Sequence, residues 1–585
     1  MTLKDNKTSS ESKITEATYA AAEQKRKEHV DAVVNSSSNK KIVVAGPGTG
    51  KTYLFEQILK GKSNTLTLTF VNALLEDLSL EFCGRSEVRT LHSFALEIMN
   101  EAKKEDITIF PRLTEIISKD ARFLLKEEID FEHVFHNKTA EQKHIDFYKA
   151  RKDYYGGYYG FSDIIFAAVR FLEDHKNKIP KFEQVLVDEF QDFNKSEVAL
   201  IDLLAEKSPI LIVGDDDQAL YGFKSASPEH IRQRYTDSGS GYDPFSLPYC
   251  SRSTRVVVDA ANDIIKAAAK NGHLRNRVNK PFKYFDDPDK DKVSDANQQI
   301  PYKQLQASQI PYHIQKDLEK IARERRKVFT ALVICPFNVQ CNTVVDALKK
   351  KGFVNVNFKE KEDKKELTLL DGLELLLKRK NCNLGWRIIA EKLLNDKEFE
   401  TVLEQTIEGK AVLISELIKT DLRKQVGQIL KTLRAVRDGT LTEDEPELVE
   451  LLKTININAY GMARDRLKDE LKPYAPSAPK VSFCEPEVKN ISITVTTILS
   501  SKGLDADYVF ITYFDDQYFI RDKDKSKITD QEICNFLVAL TRAKSKVFLF
   551  SSNVQKKPVF LTWIDKNRIK EIKTNASTED AQREG

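Results

Sequence analysis

The sequence predicts an α/β protein: two parallel-sheet domains, each interrupted by an inserted, mainly helical subdomain. Three observations predict it. A β-branched run enters a Gly-rich loop and then a helical pattern, short apolar runs recur between helical segments, and two stretches are nearly free of strand-like runs. At 585 residues the chain exceeds what one hydrophobic core supports, so several domains are expected.

The first strand spans 41–45 (Lys-Ile-Val-Val-Ala), and a helical pattern follows through Tyr53, Leu54, Phe55, Ile58 and Leu59. Strand-length apolar runs recur at 65–70, 184–187 and 210–213, with helical segments between them as the crossovers of a parallel sheet require. Residues 1–98 and 161–243 are therefore assigned to the first domain. Residues 99–160, which end in Tyr154-Tyr155-Gly156-Gly157-Tyr158-Tyr159, are its insertion. A second set begins with the helical stretch 254–269 and continues at 328–335, 491–497, 508–513 and 547–551. It defines a second domain over 244–358 and 489–570, split by an amphipathic helical insertion over 359–488 that includes 367–377 and 388–394. Residues 571–585 form a polar tail.

Composition narrows the function classes. Lys+Arg at 92 against Asp+Glu at 89 leaves a net charge of +3, so no global basic field is present and any nucleic-acid contact must come from a local groove. Hydrophobic residues at 41% exclude a disordered chain. The seven cysteines (Cys83, Cys250, Cys335, Cys341, Cys382, Cys484, Cys534) form no CxxC pair, which argues against a zinc module or an iron–sulfur cluster. No apolar run reaches 18 residues and the N-terminus is polar, so neither a membrane span nor secretion is expected, and the expected location is cytoplasmic.

Gly46-Pro47-Gly48-Thr49-Gly50-Lys51-Thr52 fits the phosphate-loop pattern GxxxxGK[ST], directly after a strand and before a helix. Its glycines let backbone amides converge on phosphates, the helix N-terminus adds partial positive charge, Lys51 reaches the terminal phosphate oxygens, and the Thr52 hydroxyl can ligate Mg²⁺. ATP and Mg²⁺ are the expected cofactors. Val185-Leu186-Val187-Asp188-Glu189 places two carboxylates at the end of an apolar strand, where Asp188 can hold the metal and Glu189 can deprotonate the attacking water. A strand that ends in acidic residues is usually only a solvated terminus; the phosphate loop in the same predicted sheet is what gives this pair its meaning.

Asp188-Glu189-Phe190-Gln191-Asp192 further resembles the DExQD segment of superfamily 1 DNA helicases of the UvrD/Rep/PcrA type. Other segments of that family follow in order. Thr69-Phe70-Val71-Asn72 resembles its TFTN, Thr90-Leu91-His92-Ser93-Phe94 its TxHxF, and residues 214–223 (GDDDQALYGF) its GDxDQxIYxW/F. Ser251-Arg252-Ser253-Thr254 resembles the end of NYRST, Lys502-Gly503-Leu504-Asp505 resembles KGLE, and residues 538–543 resemble VAxTRA.

The resemblance covers about 500 residues and implies two RecA-like domains. It assigns Gln218 to sensing of the γ-phosphate, Arg252 and Arg542 to clamping the phosphates from the second domain, and Gln24 and Asp505 to further nucleotide contacts. It implies a DNA groove lined by Phe70, Asn72, His92, Tyr221, Phe223 and Thr497, and 3′→5′ movement on single-stranded or partly duplex DNA. Aromatic faces stack on bases of any sequence, which suits a stepping motor; core packing is the bland alternative for Phe70 and Phe223.

Departures from the family pattern are specific. Ser251 stands where the family has an adenine-stacking tyrosine, Leu499 replaces a histidine, Leu537 replaces a tyrosine, and Gln24 lies several residues farther from Gly46 than expected. The compact insertions resemble helicase subunits of bacterial anti-phage systems such as Gabija. An alternative reading from another class is an ATP-gated DNA sensor that controls a partner nuclease or another protein subunit. A small-molecule kinase is disfavoured by a second α/β domain carrying Arg252 and Arg542.

Overall fold

A computed structural model describes residues 5–69, 79, 82, 84–325, 328–359, 367–407, 413–437, 491–522 and 527–573; side chains are described from residue 19 onward, except those of 223, 325, 359 and 435–437. The described residues form two compact units. One comprises 1–94, 171–361 and 484–585, the other 95–170 and 362–483.

The first unit holds two parallel sheets. The six-stranded sheet contains β1 (Lys40–Ala45), β2 (Thr65–Thr69), β3 (Glu87–Thr90), β4 (Gln184–Val187), β5 (Ile210–Gly214) and β6 (Asp243–Leu247), in the order β3-β2-β4-β5-β1-β6. A short pair, β7 (Tyr249–Cys250) and β8 (Lys283–Tyr284), leads onward. The seven-stranded sheet contains β9 (Ile300–Gln304), β10 (Thr330–Cys335), β11 (Val356–Lys359), β12 (Ser492–Thr497), β13 (Ala506–Ile511), β14 (Ala543–Ser551) and β15 (Ile569–Glu571), in the order β11-β12-β10-β13-β14-β9-β15. The central strands β4, β5 and β10 are continuous apolar runs because helices cover both faces, the usual condition of a parallel sheet.

The strands that composition did not predict lie mainly at or near the margins. β3 and β15 are short edge strands without a fully buried residue, and β6 and β9 contain Pro244 and Pro301. Edge strands tolerate proline because the missing N–H would face solvent, so β6 pairs with β1 although the sequence placed residues from 244 onward in the second domain.

The second unit joins parts of both insertions around one core. Leu113, Ile116, Phe131 and Phe135 from the first insertion pack in the same cluster as Leu373, Leu376, Ile388 and Ile389 from the second. Gly372 and Gly385 let the helices Leu369–Lys378 and Asn383–Leu393 approach closely: a Cβ on either would stand about 3 Å from the other's carbonyl oxygen. In this core the Asp120 carboxylate accepts from Arg151 Nε at 3.1 Å and from Arg387 Nε at 3.0 Å, so two guanidinium groups more than 200 residues apart share one buried acid.

Candidate active site

Strands β4, β5 and β1 are neighbours and end together at one edge, where a parallel sheet collects its ligand-binding loops. β1 runs into the loop from Gly46 to Thr52, β4 into Asp188 and Glu189, and β5 into Asp215 through Gln218. Gly48 and Gly50 have φ of 68° and 93°, a region only glycine enters freely, so the chain can fold back before the helix Lys51–Leu59. The first-turn amides of that helix have no partner within it and suit an anion. Thr49 Oγ1 closes the loop by donating to Gly46 O at 2.8 Å.

Lys51 Nζ donates to Glu189 Oε1 at 3.1 Å. Burial lowers the lysine pKa, but the carboxylates of Glu189, Asp188 and Asp215 outweigh it and the net shift is upward. Glu189 has φ 53° and ψ 41°, a left-handed conformation that costs a non-glycine residue ~1–3 kcal/mol and occurs where a site demands it. Its Oε2 accepts from Gln191 Nε2 at 2.6 Å. Burial would raise the Glu189 pKa, yet Lys51 and Lys502 reverse the effect and hold the carboxyl well below its usual range. Burial instead pushes Asp188 up to about 6, opposed by Lys51 and assisted by the charge of Glu189. The same lysine therefore meets two carboxyls in different states: the paired cations dominate at Glu189 and burial dominates at Asp188.

The second sheet reaches the same pocket from the starts of β13 and β14, where the register Ala506↔Ala543 sets Asp505 and Arg542 side by side. Arg542, which is 3% exposed, donates from Nη2 to Gln218 Oε1 at 2.7 Å and from Nε to Val538 O at 2.9 Å. Burial and the nearby Arg252 both depress its pKa. Gln218 Nε2 in turn donates to Asp215 Oδ2 at 2.6 Å. Arg252 lies along the phosphate loop, so close that a side chain at Gly48 would collide with it. It donates from Nη2 to Thr541 O at 3.1 Å and its Nη1 lies 3.6 Å from Asp505 Oδ2, while its buried Nε has no hydrogen-bond partner among the described residues. A triphosphate on the Gly46–Thr52 loop, with Mg²⁺ held by Thr52 and Asp188, fits this set: the orphaned Nε–H and the free amides are donors that phosphate oxygens would satisfy.

A UvrD/REP helicase N-terminal domain model matches residues 148–238. The chain is also 22% identical over 620 residues to the ATP-dependent DNA helicase PcrA of Staphylococcus epidermidis, covering 89% of this chain and 82% of that protein. The same protein in Staphylococcus aureus is 22% identical over 617 residues, 88% of this chain and 82% of the relative. The chain is thus similar to UvrD/Rep helicases, at low identity over most of its length and through the domain match at 148–238. Among the relatives, PcrA of another Staphylococcus aureus strain is 27% identical over 287 residues, covering 40% of this chain and 39% of that protein.

The residues expected at the nucleotide converge, with two exceptions. Gln24 is exposed on the helix Asp5–Asn35 and bonds to Glu28 at 3.5 Å, whereas Arg26, two residues on, comes within 2.9 Å of where a Gly50 Cβ would lie and stacks over Phe285 at 5.2 Å. Asp505 pairs with Arg252 and with Lys544 at 2.5 Å, so it positions an arginine rather than facing the loop alone. Ser251 donates from N and Oγ to Gly48 O at 2.9 and 3.3 Å, fastening the loop where an aromatic was expected.

The residues expected at DNA are more scattered. Tyr221 is 7% exposed and packs with Leu220 and Val538 of the helix Asp530–Leu540. His92 is half-buried in the first turn of the helix Leu91–Lys103, and Thr497 ends β12 with Oγ1 3.3 Å from Ser500 Oγ. Phe70 and Asn72 lie outside the described residues, as does the Phe223 side chain on the turn Gly222–Lys224.

Sequence reasoning gave no role to Lys502. Its side chain is 2% exposed; it bonds to Asp192, donates to Gln218 O at 2.8 Å and lies 3.7 Å from Glu189 Oε2. The available signal was a lysine next to glycine in the Lys502–Asp505 segment, which carries no partner information until the chain is folded.

Proposed function

We propose that the chain is an ATP-dependent DNA helicase that translocates 3′→5′ on single-stranded DNA, in genome maintenance or anti-phage defence. The observation that carries this reading is the arrival of two cations from outside the first sheet at the phosphate loop: Arg252, between β7 and the helix Arg255–Lys270, against Gly48, and Arg542, at the start of β14, on Gln218. ATP supplies the cleavable phosphoanhydride and Mg²⁺ the charge neutralisation. Lys51 and the loop amides hold the phosphates, Glu189 orients water and takes its proton, and the two arginines stabilise charge developing on the γ-phosphate. Arginines supplied from outside the first sheet act only when the cleft is closed, so hydrolysis becomes coupled to domain movement. The relatives' printed name, ATP-dependent DNA helicase, agrees with this chemistry.

The test combines ATP turnover with strand displacement on duplexes carrying a 3′ or a 5′ single-stranded tail. Turnover stimulated by single-stranded DNA together with displacement from the 3′-tailed duplex is the expected result. Displacement from the 5′-tailed duplex alone would reverse the direction. Stimulated turnover with no displacement would replace the motor by an ATP-gated sensor serving a partner nuclease.

A further inference from the structure

Asp215, Asp216 and Asp217 offer three carboxylates with oxygens within 4.8 Å of one another, a geometry that could hold a metal ion. A side chain already fills it. Lys280 Nζ lies 2.8 Å from Asp215 Oδ1 and 2.9 Å from Asp217 Oδ2, and it also bonds to Asp216. Arg277 Nε donates to Asp217 at 2.7 Å, Arg232 Nε donates to Asp216 at 3.0 Å, and Val278 N donates to Asp216 at 2.8 Å. Three cations therefore meet three buried acids, and Lys280, 3% exposed, is the one that touches all of them.

This cluster adjoins the sensor. Asp215 Oδ1 takes Lys280 and the Asp217 amide at 3.1 Å, which leaves Oδ2 for Gln218 Nε2 at 2.6 Å. Because Asp215 can only accept, it fixes which end of the Gln218 amide faces it, and the carbonyl end is left to receive Arg542. Lys280 and Gln218 line one cleft with Gly46 and Pro47, and Phe282 of the same segment lies so close to Gly46 that a Cβ there would stand 2.8 Å from its ring.

We infer that Lys280 is a positioning residue for γ-phosphate sensing: by holding Asp215 as a pure acceptor it sets the orientation of the Gln218 amide and so its pairing with Arg542. The inference rests on the proposed ATP hydrolysis. Without Lys280 the cluster carries an uncompensated buried negative charge. Asp215 Oδ1 then loses its lysine partner, the carboxylate is free to turn, and Gln218 Nε2 no longer has a fixed acceptor that keeps its carbonyl end toward Arg542.

The experiment compares wild type, Lys280→Met and Lys280→Arg by the affinities for a non-hydrolysable ATP analogue and for ADP, the binding stoichiometry of a fluorescent nucleotide, and ATP turnover. In Lys280→Met, kcat is expected to fall roughly 10–100-fold with KM for ATP nearly unchanged, the analogue-to-ADP preference to collapse, and stoichiometry to stay full. Lys280→Arg should restore the preference. If Lys280→Met is insoluble, Lys280→Gln, which keeps hydrogen bonding without charge, is read the same way. An intact preference, whether kcat is unchanged or falls in step with stoichiometry, overturns the assignment. Absence of ATP turnover in wild type would instead remove the reading on which it rests.

Discussion

Lys51 and Glu189 are paired at 3.1 Å, so the cation that would grip the terminal phosphate and the base that would deprotonate the attacking water are held in one contact between the segments that follow β1 and β4. Nucleotide must draw Lys51 toward phosphate and leave Glu189 free for water. Glu189→Gln keeps the shape and removes the base, so turnover should fall by about 10²-fold or more while a fluorescent ATP analogue still binds. Normal turnover in this variant would move the base elsewhere. Lys51→Ala should lose both turnover and tight binding.

Arg542 is buried and bonded to Gln218, Val538 and Leu504. A lysine cannot reproduce those directed donors. Arg542→Lys should lower kcat by roughly 10³-fold, the low end for a phosphate-clamping arginine, with little change in KM. Equal loss of analogue binding and turnover would indicate general unfolding of the pocket instead.

Metal dependence should carry a pH signature. Asp188 is pushed up to about 6 by burial, so its neutral form persists to higher pH than in an ordinary aspartate, and the charged, metal-binding form is lost as pH falls through 6. ATPase activity at fixed low Mg²⁺ should drop between pH 7.5 and 5.5 and recover when Mg²⁺ is raised. A rate independent of Mg²⁺ concentration at the acid end would exclude Asp188 as the ligand.

Arg26 and Gln24 separate a structural from a sequence expectation. Arg26→Ala should raise KM for ATP several-fold because it removes the cation beside Gly50 and Phe285, whereas Gln24→Ala, on an exposed face, should leave KM unchanged. Steady-state kinetics over a range of ATP concentrations decides between them.

In the second unit, Asp120→Ala leaves Arg151 and Arg387 buried without their shared acid. Breaking such a buried pair costs ~3–5 kcal/mol, and urea denaturation should show that loss. Changing Asp120, Arg151 and Arg387 together to apolar residues of similar size should recover most of it; no recovery would mean the network contributes more than mutual neutralisation.

Local chemistry already determined much of this protein. A β-branched run before GxxxxGK[ST], apolar strands ending in Asp188-Glu189 and Gly214-Asp215, and a second set of strands around Arg542 are short-range patterns, and backbone geometry alone makes them strands, loops and helix starts. The α/β class and the nucleotide loop were legible for that reason. What only tertiary structure decided are the partners: Lys280 in the Asp215–Asp217 cluster, Lys502 on Asp192, Arg26 rather than Gln24 beside Gly50, Tyr221 against Val538, and two insertions sharing Asp120. Each depends on which distant segment supplies the compensating charge or covering surface. A buried charge is stable only beside its counter-charge, and no spacing along the chain encodes that meeting.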